Sequence, residues 1–167
     1  MTRVEATGAR WVRAALQVNP YSYEGKNAPS ATYAKEADYN RFMLDACIAQ
    51  GIEMIAITDH WKVDSALQLI ADAEERDIVA LPGFEANSAE GIHILVIFDA
   101  GTDAAKINAA IGECGVDPGC KNGSTGIPFT DMVEKMTAQG ALVIPAHANI
   151  PNSGLLTGRG EDRKSVV

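Results

Sequence analysis

The chain predicts an α/β domain in which a parallel sheet or barrel is covered by helices. Three observations carry that expectation. Five short runs are almost continuously apolar, as strands buried on both faces require. Segments with helical spacing separate most of them, which is the alternation of a layered α/β domain. No internal repeat or linker divides the 167 residues, a length that suits one domain with a sizeable core.

The elements follow in order. Residues 12–18 are apolar enough for a first strand, and a loop rich in Asn, Pro, Tyr and Gly follows over 19–30. Residues 35–50 have helical spacing, with Tyr39, Phe42, Met43, Ala46 and Ala49 or Gln50 near one stripe and Gly51 as the stop. A second strand covers 52–58, after which Asp64 or Ser65 is expected to cap a helix running to about Arg76. The third strand covers 78–81, and Leu81-Pro82-Gly83-Phe84-Glu85 reads as a further strand that ends in a carboxylate. The fourth covers 92–98. A helix over 103–114 precedes a loop of Gly, Pro, Asn and Ser over 115–128. Thr130 is expected to cap a helix over 131–139, Gly140 ends it, and 141–146 form the fifth strand.

Composition narrows the function classes. A hydrophobic content of 47% with 22% charged residues excludes a disordered chain. A net charge of -8 argues against a broad nucleic-acid or anionic-membrane surface. No apolar run approaches the ~20 residues of a membrane span, and Met1-Thr2-Arg3-Val4-Glu5 has no signal core, so a cytoplasmic protein is expected. Cys47, Cys114 and Cys120 form an odd set without CxxC spacing, expected to be reduced structural residues, with an auxiliary metal ligand as the alternative. Neither a phosphate-cradling glycine loop nor a serine or cysteine nucleophile with its base is spelled out.

The chemistry-bearing residues lie along the strands. All three histidines sit against apolar runs: His60 ends Ile55-Ala56-Ile57-Thr58-Asp59-His60, His93 opens His93-Ile94-Leu95-Val96, and His147 follows Leu142-Val143-Ile144-Pro145-Ala146. Singly, each reads better as a core or capping imidazole. Jointly with Glu85 they form the donor set of Zn, Mn or Fe sites. Residues at the C-terminal ends of parallel barrel strands converge on one face. His93 is the exception, because it opens its run; either that strand runs against the others or His93 belongs to the preceding loop. Asp59, beside a ligand, is better placed to fix an imidazole than to bind an ion itself.

Ile57-Thr58-Asp59-His60, Pro82-Gly83-Phe84-Glu85, Gly91-Ile92-His93-Ile94-Leu95 and Ile144-Pro145-Ala146-His147, in this order, resemble the polymerase and histidinol phosphatase (PHP) family. The resemblance implies a distorted (β/α)7 barrel, of which about five strands are present, and a site of two or three divalent ions (Mn, Zn, Fe or Mg). Carried over by position, His60, Glu85, His93 and His147 are metal ligands, with Glu85 bridging two ions. The implied activity is hydrolysis of a phosphoester by metal-activated water, on a phosphorylated small molecule or nucleotide.

The first strand departs from the family. Where Asp-Leu-His-x-His is usual, this chain has Ala15-Leu16-Gln17-Val18-Asn19. Amides are weaker, harder ligands than imidazoles. A one-metal site, a different metal, or substrate binding by Gln17 and Asn19 are the open consequences; polar side chains that only hydrogen-bond are the plain one. The opening segment is similar to a PHP branch fused ahead of an ATPase module, which offers a non-enzymatic alternative: a degenerate barrel that binds or regulates such a module in cis or in trans. Arg159, after a glycine-rich loop, is a candidate for binding an anionic substrate. Residues 1–161 are expected to be the N-terminal part of a single PHP domain. Residues 162–167, Asp162-Arg163-Lys164-Ser165-Val166-Val167, are expected to be non-native, since a nucleotide string that matches a widely used sequencing adapter encodes the same residues.

Overall fold

The computed structural model describes residues 11–120 and 123–156, so Arg159 and residues 162–167 lie outside the described residues. Five strands, β1 (Arg13–Val18), β2 (Ile52–His60), β3 (Val79–Asn87), β4 (His93–Ile97) and β5 (Leu142–Pro145), form one sheet in chain order. Among the described residues, four helices cover it: α1 (Glu36–Ala49), α2 (Leu67–Glu74), α3 (Ala104–Glu113) and α4 (Phe129–Ala138). None is long and apolar enough to cross a membrane.

The expected all-parallel sheet is corrected at one strand. β1, β2 and β3 are parallel, whereas β4 is antiparallel to both β3 and β5. The cause is chain length. Only residues 88–92 join β3 to β4, and a parallel crossover needs about a dozen. A tight reversal closes instead, with Gly91 N–H on the Ser88 carbonyl at 2.8 Å and Gly91 at φ +78°.

The sheet curls. Leu16 of β1 and Ile144 of β5, on the two edge strands, both pack against one small inner cluster of Ala56, Leu95, Ile97 and Ala146. A flat sheet would hold strands four places apart at roughly 19 Å. The convex face carries the larger cores. α1 and α2 close over β2 and β3 through Leu44, Cys47, Ile55, Ile57, Leu69 and Ala80. α3 and α4 close over β3 and β4 through Phe84, Ile94, Val96, Ile107 and Met132.

Local expectations shift where partners outside an element decide. In α1 the buried positions are Tyr39, Asn40, Leu44 and Cys47, while Phe42 is exposed and lies 5.4 Å from the Tyr33 ring. The expected stripe was rotated by about one residue, because a loop aromatic drew Phe42 outward. Neither Asp64 nor Ser65 caps α2, whose approach is a 3-10 turn. Asp64 instead accepts from Asn108 of α3 at 3.2 Å. Thr130 does not cap α4 either. Its first N–H, on Phe129, is met at 3.0 Å by Glu90 from the β3–β4 reversal. Asp103 does cap α3, accepting from Ala105 N–H at 2.8 Å.

Candidate metal centre

Register places the site residues before any side-chain contact is considered. His60 pairs with Glu85 across the parallel β2–β3 ladder, and His93 pairs with Asn87, two residues beyond Glu85. The start of an antiparallel strand therefore falls on the same rim as the ends of its parallel neighbours. His93 needs no loop to reach the site. Period-two alternation turns His60, Glu85 and His93 toward the concave face, opposite to Phe84 and Ile94.

Glu85 is the centre, 3% exposed. Its Oε1 lies 2.7 Å from His93 Nδ1 and 3.4 Å from His147 Nε2. Its Oε2 lies 3.8 Å from His60 Nδ1 and accepts from Gln17 Nε2 at 3.0 Å. The two oxygens thus face two different groups of side chains. Glu85, His93 and His147 offer ligand atoms that lie within 4.8 Å of one another. Donors around a tetrahedral ion are separated by roughly 3.4 Å, given metal–ligand lengths near 2.1 Å. The His147 spacing already has that value, and the His93 contact must open by well under 1 Å.

The charge balance fits a cation. A buried carboxylate surrounded by imidazoles and an amide has no permanent positive partner in this site. Burial pushes the Glu85 carboxyl up, but the His93 hydrogen bond and the charges of His60, His93 and His147 outweigh it, leaving it below the usual carboxylate range.

The surrounding backbone fixes the ligands. β1 is irregular between Ala15 and Val18, where three residues span what two span on β2. That bulge lets Leu16 join the inner cluster while Gln17 reaches Glu85. Asn19 sits just past the strand, and its carbonyl accepts from Tyr39 Oη at 2.6 Å. Both Asp59 oxygens are engaged, by His60 N–H at 2.8 Å and Ser65 Oγ at 3.0 Å, and neither contact is to an imidazole. His147 has φ +30°, a left-handed conformation held by a turn in which Ile150 N–H meets its carbonyl at 2.8 Å.

Two residues near these ligands escaped the sequence analysis. Ser153 accepts His93 N–H on its carbonyl at 3.0 Å, and its hydroxyl lies 3.4 Å from His147 Nδ1, leaving His147 Nε2 directed at Glu85. Tyr23 stacks on the His60 ring at 6.1 Å between centroids. Burial, then the charges of Glu85 and Asp59, push its phenol above the usual range. Neither residue has a motif. Only a polar turn after His147 and an aromatic in the first loop hinted at them.

No protein-family model and no curated protein matches the chain. Among solved structures it is similar to an amidohydrolase from Chromobacterium violaceum, determined with bound sulfate and no metal. Identity is 20% and the TM-score 0.42, over 62% of this chain and 33% of that one, so this chain spans about a third of that protein's length.

Proposed function

We propose that the protein is a metal-dependent phosphoesterase of PHP type, its principal ion held by Glu85, His93 and His147. The observation that carries the reading is the division of Glu85: Oε1 faces His93 and His147, Oε2 faces Gln17 and His60. That is the disposition of a carboxylate serving two neighbouring positions. A divalent cation of the Mn, Zn, Fe or Mg kind, when bound, polarises a phosphoryl oxygen and lowers the pKa of a water. The chain supplies the rest. Ser153 orients His147, the β1 bulge brings Gln17 to the second side of Glu85, and the Tyr23 phenol keeps its proton at neutral pH beside His60. The substrate class is a phosphorylated small molecule or a nucleotide.

A second reading has its own observation. Gln17 turns an N–H, not an oxygen, toward Glu85, and so acts there as a donor rather than a ligand. A degenerate barrel that binds or regulates an ATPase module is consistent with that. Metal analysis alongside hydrolysis of 4-nitrophenyl phosphate separates the two. At least one ion per chain, with turnover lost in Glu85→Gln, supports the phosphoesterase. A folded protein that is ion-free and inactive supports the binding module, and turnover unchanged in Glu85→Gln removes the proposed role of Glu85.

A further inference from the structure

A cavity of about 350 Å3 opens beside the metal centre, walled by Tyr23, Gly25, Asp59, His60 and Lys62 among others. That volume suits a small ligand. His60 belongs to both places: Nδ1 faces Glu85 and its ring stacks on Tyr23. A phosphoester with its phosphorus at Glu85, His93 and His147 therefore has this cavity within reach of its alcohol portion.

The charges on the wall are not equivalent. Asp59 already accepts two hydrogen bonds. Glu24, also on the wall, has an interaction of its own. The backbone of Lys62 bridges to Asp59, but its half-buried side chain makes neither a hydrogen bond nor an ion pair among the described residues. Its ammonium is the wall charge left for a ligand. The aromatic wall depends on Gly25, because a Cβ there would overlap the Tyr23 ring. The backbone at Gly25 is not left-handed, so alanine fits the chain and displaces Tyr23 instead.

We propose that this cavity is the leaving-group subsite, and that Lys62 selects phosphoesters whose alcohol carries a second anionic group, a carboxylate or another phosphate. The inference rests on the phosphoesterase reading for the position of phosphorus, but not for its test. A cation–anion hydrogen bond in a partly enclosed pocket corresponds to about tenfold or more in affinity.

The test is binding of non-hydrolysable phosphonates to the full chain by calorimetry, with and without Mn2+. Benzylphosphonate is compared with 4-carboxybenzylphosphonate and with p-xylylenediphosphonate, which tells a carboxylate from a second phosphate. We expect one of the doubly anionic probes to bind about tenfold tighter. The ratio should fall to about one in Lys62→Met, and Gly25→Ala should weaken all probes at least threefold. A ratio near one in the wild type, or one unchanged in a folded Lys62→Met, overturns the proposal; if Lys62→Met fails to fold, the wild-type ratio and Gly25→Ala still decide. Hydrolysis of phenyl phosphate is measured in parallel. No turnover with a Lys62-dependent ratio leaves the cavity standing as a Lys62-dependent anion site and sinks the phosphoesterase reading. Turnover with a ratio of one does the reverse.

Discussion

Replacing Glu85 by Gln should separate the cost of a buried charge from its use. The amide keeps the local hydrogen bonds: its oxygen accepts from Gln17 Nε2, and its NH2 turns to His93 Nδ1, now 2.7 Å from Oε1. Only the charge is lost. With a cation at about 100 times its Kd, the wild type gains roughly 2.7 kcal/mol. For a chain of this size that is a rise in Tm of roughly 5–11 °C. Removing the single carboxylate of the Glu85, His93, His147 group should weaken binding at least about 100-fold, the upper end of what outer contacts alone cost. At the same cation concentration the rise then shrinks to about 1–2 °C. Without metal the effect depends on pH. The folded carboxyl lies below its usual range, so its contribution is present above about pH 4.3 and lost as pH falls through the folded value. At pH 5 cation-free Glu85→Gln should therefore melt below the wild type, and the gap should close as the wild-type carboxyl takes up its proton in acid. Calorimetric scans with and without Mn2+ or Zn2+ read these values. Equal metal-induced rises in both proteins, or a gap at pH 5 that does not close in acid, would refute the reasoning.

Three further outcomes are expected. Ser153→Ala removes the hydroxyl beside His147 Nδ1 and should weaken cation binding about tenfold while leaving the fold intact; an unchanged Kd by metal titration would show that the turn alone orients His147. Gly83→Ala puts a Cβ into the Val96 carbonyl of the neighbouring strand, so chemical denaturation should show a loss of about 1–3 kcal/mol, whereas an unchanged midpoint would mean that β3 and β4 part freely. Burial pushes the Cys114 thiol up to about 11, so the stability it contributes is full below about pH 9 and lost as pH rises through 11. Cys114→Ala should flatten alkaline denaturation across that window, and an identical pH profile would mean that other groups govern it.

Much of the architecture was legible because it rests on local pattern. The five apolar runs became β1 to β5 with ends shifted by a residue or two, except that β3 runs on through Glu85 to Asn87. What failed locally failed through partners distant in sequence. Phe42 faces outward because Tyr33 receives it. α4 begins at Phe129 because Glu90, 39 residues earlier, supplies the acceptor that Thr130 was expected to provide. Capping rules assume that the acceptor comes from the helix's own entry, and here a hairpin supplied it.

The position of His93 shows where pattern and topology part. Its place at the start of an apolar run counts against it in any all-parallel sheet, since the first residue of such a strand lies on the far rim. The segment between Glu85 and His93 already held the answer in its length, which is too short for a helix, and its reversal turns at Gly91, φ +78°. Reversing one strand brings a run-opening histidine beside a run-closing glutamate, and Glu85 Oε1 and His93 Nδ1 meet at 2.7 Å. The division of Glu85 between two groups had no such local signal. It depends on one extra residue in β1, which alternation alone would have read as a register error, yet without which Gln17 would not reach Oε2. Deleting one residue from the bulge at Leu16-Gln17 should therefore leave the outer cores in place and uncouple Gln17 from Glu85. Amide nitrogen shifts of Gln17, read by NMR with and without Zn2+, report that coupling: a zinc-induced shift is expected in the intact chain and absent in the deletion, and a shift retained in both would mean that the bulge does not set the site.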